Sequence, residues 1–233
     1  AMLAAQSKGY IAPMKAVTAI DEGLSYDMDK DLEREVELFA DCAVSDVAEN
    51  LIGIFLNTRA AGRLDRIKGV EPAGIKKVAM LGGGVMGSGI VNLLLTSGCE
   101  TILWDINDAA LEKGVASVRQ TFVYPIKKRK MKQEDLENML EKQLSTTTAL
   151  TDLKGVDLVI EAVVEDMAIK QNIWKELEGI CPSHTVFATN TSALPITEMA
   201  SALSDPGRMI GLHFFNPAHR MMLLEIICAK QTS

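Results

Sequence analysis

The stretch "KKVAMLGGGVMGSGIVNLLLTSGCETILWD", residues 76–105, narrows the folds open to this chain more than any other. "KKVAML" is a short apolar run typical of a buried strand. "VMGSGIVNLLLTSG" has the length and composition of a helix, with Gly98 as its stop. "TILWD" is a second strand. Gly82, Gly84 and Gly87 stand between the first strand and the helix in the spacing G-x-G-x-x-G. Gly82 permits a tight turn, Gly84 lets backbone approach a pyrophosphate, and Gly87 allows helix and strand to pack closely. Val85 and Met86 open the helix, whose unpaired N–H groups and positive dipole end suit phosphate oxygens. Asp105 ends the second strand 18 residues after Gly87. An acid there holds a ribose 2′-hydroxyl and repels a 2′-phosphate. The arrangement predicts a dinucleotide site that takes NAD rather than NADP. S-Adenosylmethionine is the competing ligand, since its enzymes also use a glycine turn and an acid. A glycine-rich turn without any ligand is the plainest alternative.

The alternation continues downstream. "VDLVIEAV" reads as a buried strand, "MAIKQNIWKELEGI" as a helix, "TVFATN" as a strand and "ITEMASAL" as a helix. "RMIGLHF" and "MMLLEII" close the chain as strands. Strands that alternate with helices indicate βαβ units. The expected fold is therefore α/β, a Rossmann-type, doubly wound and mostly parallel sheet over residues 71–233. Residues 1–70 carry no strand pattern. Leu32, Val36, Phe39, Ala43, Val47 and Leu51 recur at helical spacing, so this segment reads as a helical scaffold or linker. "DRIKGVEPAGIKK", residues 65–77, mixes charges with Pro and Gly and marks the boundary.

Composition excludes some partners. The net charge of −7 lacks the basic footprint of a nucleic-acid binder. The one basic run, "KKRK" at 127–130, reads as a solvated helix face or a contact to a phosphate-bearing ligand. Cys42, Cys99, Cys181 and Cys228 are scattered, with neither zinc spacing nor a disulfide framework, which fits a reducing compartment. No apolar run approaches the ~18 residues of a membrane span, and no signal peptide is read.

The last two strands hold a histidine and a glutamate among apolar residues, each costly to bury unless paired. A hairpin turning near His219 sets His213 opposite Glu225, within hydrogen-bond reach. A carboxylate that orients an imidazole makes a base for an alcohol proton. A purely structural His–Glu pair is the other reading. Asn190 and Ser192, in "ATNTSALP" at a strand's C-terminal end, lie where open α/β sheets bind ligands. "NTS" also reads as a helix cap.

Taken together, Gly82-x-Gly84-x-x-Gly87, Asp105, "VIEAVVED", "ATNTSALPI" and "GLHFFNP" with "LLEI" closely resemble the L-3-hydroxyacyl-CoA dehydrogenases of fatty-acid β-oxidation, over roughly residues 76–233. "KGYIAPMKAVTAIDEGL" and "LIGIFLNTR" resemble the end of the enoyl-CoA hydratase (lyase) region and linker of multifunctional β-oxidation enzymes. The resemblance implies NAD as cofactor and hydride transfer from (S)-3-hydroxyacyl-CoA to give 3-oxoacyl-CoA. It implies His213 as base, Glu225 as its orienting partner, Ser192 on the reacting oxygen, and Asn216 as support for that oxygen or for the site's geometry. Glu165 and Lys170 match family positions lining the nicotinamide–ribose side, with Asn190 beside them. A solvated helix start is the other reading of Glu165 and Lys170. The family's helical C-terminal dehydrogenase domain and the upstream hydratase core are absent from this sequence. The expectation is therefore a chain that binds NAD and turns over poorly or not at all alone. An acyl-CoA substrate, those two domains and a thiolase subunit are the implied partners. The implied location is the bacterial cytoplasm, or the mitochondrial matrix or peroxisome of a eukaryote. A non-catalytic nucleotide-binding module and another Rossmann enzyme (a hydroxyacid dehydrogenase or a methyltransferase) are the alternatives.

Overall fold

The structure, a computed structural model, describes residues 7, 9–62 and 67–233. The parts of the expected helical segment at residues 1–6, 8 and 63–66 lie outside the described residues. The chain divides into two units, Ala1–Pro72 and Ala73–Ser233.

The first unit contains α1 (Ala12–Gly23), α2 (Met28–Ala43) and α3 (Asp46–Ala61). The apolar periodicity from Leu32 to Leu51 runs unbroken in sequence, yet the helix breaks at Val44–Ser45. Ser45 adopts extended backbone and its hydroxyl accepts from Ala48 N at 3.2 Å, capping α3. Asp27 caps α2 in the same way through Lys30 N. Arg34 of α2 ties back to α1, its Nε 2.5 Å from Glu22, and also reaches Glu37 at 2.9 Å. Leu32, Val36 and Phe39 are exposed, and Leu38 is the buried residue of α2.

The second unit is one seven-stranded sheet. Its strands are β1 (Lys77–Leu81), β2 (Glu100–Trp104), β3 (Leu144–Thr147), β4 (Leu158–Glu161), β5 (Val186–Thr189), β6 (Met209–Phe214) and β7 (Leu224–Cys228). Their spatial order is β3-β2-β1-β4-β5-β6-β7. All neighbours are parallel except β6 and β7. Strand β1 lies between β2 and β4, so the winding reverses beside it, and the crevice past its C-terminal end is where such sheets take ligands.

Helices cover both faces. On one face α4 (Val85–Thr96), α5 (Asp108–Thr121) and α7 (Gln133–Gln143) pack on Val78 and Met80, with short α6 (Val123–Lys127) between. On the other, α8 (Met167–Ile180) and α9 (Ile196–Ala200) bring Trp174, Leu177 and Met199 onto Ala79 and Leu81. Alternate residues of β1 thus face opposite layers, as the pleat requires. Each of these four β1 residues is fully buried, which is why its sequence is a continuous apolar run.

Two features depart from the sequence reading. Strand β3, "LSTT", is added at the sheet edge beside β2, where two-sided burial is not required and no apolar run announces it. Strand β7 is also an edge, and all of Leu224–Cys228 is exposed rather than buried. The described residues include no helix long and apolar enough to cross a membrane.

The start of β1 is anchored by Asp157, whose carboxylate accepts from Lys76 N at 2.8 Å and Lys77 N at 2.9 Å. These backbone hydrogen bonds, Lys77's first, hold the Asp157 pKa below the usual aspartate range. A depressed folded-state pKa adds stability above the unfolded value, and that stability is lost as pH falls through the folded value. Asp157→Ala is therefore expected to lower Tm at neutral pH, with the gap to the parent closing as pH falls below the usual aspartate range. A gap independent of pH in thermal melts would contradict this. Gly87 gives a second prediction. A Cβ there would overlap the Gly82 carbonyl oxygen, a backbone atom that cannot swing away. Gly87→Ala should cost about 3 kcal/mol. In a unit of this size that is a fall of roughly 6–12 °C in Tm, and an unchanged melt would refute the packing argument.

Candidate active site

The glycine turn leaves β1 and enters α4 with φ +94° at Gly82, a left-handed conformation that favours glycine. Gly82 N donates to Trp104 O at 2.9 Å, which ties the turn to β2. Gly84 is the N-cap of α4 and supplies no side-chain cap, so the first helical N–H groups face outward. A Cβ on Gly84 would meet nothing within 4 Å. The space beside it is open, as an approaching phosphate requires. Asp105 follows β2. Its Oδ2 accepts from Gly83 N at 2.9 Å and its Oδ1 from Ile106 N at 2.8 Å. The acid expected at the ribose thus also fixes the turn.

A cavity of about 290 Å³ opens next to this turn. Gly84, Val85 and Met86 form one side, and Glu165, Lys170, Asn190 and Ser192 the other. Seven of the residues singled out in sequence therefore meet at one place. Asn190 N donates to Glu161 O at 2.8 Å, and Asn190 Oδ1 accepts from Phe214 N at 2.9 Å, joining the ends of β4, β5 and β6. Asn216 is not brought into that lining. It is exposed, three residues after His213, at a cis peptide bond to Pro217.

The β6–β7 register pairs His213 with Glu225. His213 Nδ1 lies 2.8 Å from Glu225 Oε2, and His213 Nε2 lies 3.0 Å from Ser192 Oγ. An ionised carboxylate only accepts, so the neutral ring carries its proton on Nδ1 and keeps its Nε2 lone pair toward Ser192. The Glu225 side chain is 52% exposed and that of His213 is 21% exposed. Burial therefore does not force the pair together; the strand register does. The Phe215 ring sits 4.8 Å from the His213 ring, centroid to centroid.

Sequence reasoning missed one central residue. Glu161 ends β4, is fully buried, and accepts from Lys170 Nζ at 2.7 Å. It also accepts from Val163 N at 2.7 Å and Thr189 Oγ1 at 2.8 Å. Lys170 in turn reaches Glu165 Oε2 at 3.0 Å and is only 1% exposed, which overturns the solvated reading of that lysine. Glu165 stands just before Asp166, the N-cap of α8, and accepts from the Thr191 hydroxyl and from Ser192 N. Partial burial works to raise the Glu165 pKa. The Thr191 hydroxyl and the Lys170 ammonium outweigh it and hold the carboxyl below its usual range. The signal that could have found Glu161 was the acid inside the apolar run "VIEAV", nine residues before a lysine on the inner face of the next helix.

Of the basic run at 127–130, Lys127 is the last residue of α6 and the rest follow it in a turn, with Lys128 Nζ 5.9 Å from the centre of the Tyr124 ring. Lys130 lines a separate cavity of about 430 Å³ with Asn92, Thr121, His219 and Arg220.

The family described as 3-hydroxyacyl-CoA dehydrogenase, NAD binding domain, matches residues 77–233. The chain is 36% identical over 219 residues to the peroxisomal fatty acid beta-oxidation multifunctional protein AIM1 of Arabidopsis thaliana, covering 93% of this chain and 30% of that protein. It is 36% identical over 225 residues to the fatty acid oxidation complex subunit alpha of Shewanella oneidensis, covering 96% of this chain and 32% of that protein. The chain thus spans about a third of the length of these relatives. Among solved structures, (S)-3-hydroxybutyryl-CoA dehydrogenase PaaH1 from Ralstonia eutropha superimposes with TM-score 0.66 at 39% identity, covering 69% of this chain and 56% of that one. The dehydrogenase part of multifunctional enzyme 1 from C. elegans gives TM-score 0.63 at 33% identity, covering 70% and 37%.

Proposed function

The chain belongs to the 3-hydroxyacyl-CoA dehydrogenase family and carries its NAD-binding domain, and from that premise we propose that it serves the oxidation of (S)-3-hydroxyacyl-CoA to 3-oxoacyl-CoA within a multifunctional β-oxidation protein. The observation that carries the reading is the Ser192–His213–Glu225 line, with contacts of 3.0 and 2.8 Å, reached through Ser192 from the cavity beside the glycine turn. An imidazole held between a hydroxyl and a carboxylate is arranged to take a proton from an alcohol.

The residues at the turn fit a dinucleotide. The space beside Gly84 accepts a pyrophosphate, the outward N–H groups of α4 complement its charge, and Asp105 stands at the end of β2 for the ribose. NAD, when bound, supplies the acceptor for the hydride leaving C3 of the substrate. The protein's own residues handle the proton. Ser192 hydrogen-bonds the substrate oxygen, His213 Nε2 accepts the hydroxyl proton, and Glu225 keeps the ring in the Nδ1–H tautomer and stabilises the imidazolium. Asn216 supports the oxygen or the geometry of the motif, and Asn190 braces Phe214 behind His213. In this reading the partners are an acyl-CoA, a hydratase and a C-terminal dehydrogenase domain of one longer polypeptide, and a thiolase that consumes the 3-oxoacyl product. For location, this reading follows the Arabidopsis relative, which is named as peroxisomal.

Two experiments test the proposal. Calorimetric titration of this chain should show NADH binding, with NADPH weaker by at least about tenfold because Asp105 repels a 2′-phosphate. Binding of S-adenosylmethionine instead would move the chain to another class of Rossmann enzyme. In any preparation that oxidises (S)-3-hydroxyacyl-CoA, His213→Ala should lower kcat by about 10²–10⁴-fold while NADH affinity stays nearly unchanged. Retained turnover would remove His213 as the base.

A further inference from the structure

Glu161 and Lys170 form an ion pair withdrawn from water, with side-chain exposures of 0% and 1%. Such a pair is a poor source of stability, because desolvation offsets most of the attraction and apolar residues of the same size usually do as well. Its position suggests another use. The register sets Glu161 of β4 beside Thr189 of β5, and the Thr189 hydroxyl donates to Glu161. Thr189 Oγ1 also accepts from Thr191 N at 3.3 Å. Glu165 holds the same turn from its other side, through the Thr191 hydroxyl and Ser192 N. Lys170 lies between the two carboxylates, 2.7 Å from Glu161 and 3.0 Å from Glu165. Two acids and one base give this buried-to-surface triad a net charge of −1, and both Glu165 and Lys170 line the cavity next to Ser192.

We propose that Glu161 is a positioning residue that sets the charge of the cofactor cavity: it clamps Lys170 against Glu165 and leaves a net negative triad that favours the oxidised, cationic nicotinamide over the reduced, neutral one. The inference rests on the NAD reading of the same cavity. Glu161 itself acts through Lys170, which covers it. A single negative charge near the ring discriminates between two ligands that are otherwise almost the same size and shape, because only the oxidised ring carries a positive charge.

The test compares NADH affinity, read by the ligand's own fluorescence, with NAD affinity, read by displacement of NADH, in this chain. In Glu161→Gln the amide keeps an acceptor for Lys170, and the triad becomes neutral. The ratio of NAD to NADH affinity should fall by roughly three- to tenfold. Glu161→Asp, which keeps the charge, should leave the ratio near that of the parent even where both affinities drop. Glu161→Gln with Lys170→Met restores a net charge of −1 through Glu165, and should return the ratio toward the parent value. A merely structural role would lower both affinities together, so an unchanged ratio in Glu161→Gln overturns the proposal. Should circular dichroism show that Glu161→Gln does not fold, Glu165→Gln at the exposed end of the triad removes the same charge, and an unchanged ratio there overturns it equally. Failure of the parent chain to bind NADH at all would sink the cofactor reading instead.

Discussion

Parallel pairing of β1 with β2 on one side and β4 on the other is the constraint from which the site follows. It brings Leu81, Trp104 and Glu161 to one edge of the sheet, and all three strands end there together. The chain can leave β1 only by a turn that clears the end of β4, and a Cβ on Gly82 would already stand 2.8 Å from Ala162 O. A glycine in the left-handed region meets that demand, and α4 then starts with its N-terminus over the crevice. The open volume, the helix dipole and the exposed N–H groups are therefore consequences of strand order rather than separate features.

The same edge organises the charged groups. Glu161 ends β4, Asn190 follows β5, and His213 lies near the end of β6, so each successive strand delivers one polar side chain to the crevice. Their hydrogen bonds then run sideways across the sheet: Thr189 to Glu161, Phe214 N to Asn190, His213 to Glu225. Polar groups in such a place are costly unless each finds a partner, and these do. The result is a continuous path from a fully buried carboxylate to a partly buried imidazole, with Lys170, Glu165 and Ser192 along it. A site built this way takes its geometry from the strand ends, while the loops contribute the glycine turn, Asp105, Glu165 and the turn that carries Thr191 and Ser192.

The first unit is organised differently. Its helices are capped by Asp27 and Ser45 and tied by Arg34, but much of their apolar surface stays in water, including Val36, Phe39 and Phe55. Periodicity in that segment recorded that it is helical, but not the break at Val44–Ser45 that divides α2 from α3. Nor did it record whether an apolar face is covered, since a stripe reads the same in sequence whether or not anything packs on it.

Much of the second unit was legible because its signals are local. A continuous apolar run can only be satisfied by burial on both faces, G-x-G-x-x-G has a defined place between strand and helix, and an antiparallel pair fixes its own register, which is why sequence alone sets His213 against Glu225. What tertiary structure decided is whatever depends on residues far apart in the chain. Edge strand β3 pairs along the open edge that β2 offers, and "LSTT" carries no apolar run to mark it in sequence. Exposure of β7 follows from its place at the other edge. The buried role of Lys170 depends on a glutamate nine positions earlier in a different element, and the bracing of Ser192 depends on Glu165 across 27 residues. Sequence determined which groups were present and which local shapes they could take. Only the folded sheet decided which charges lost their water, because desolvation is a property of everything packed around a group and not of its neighbours in the chain.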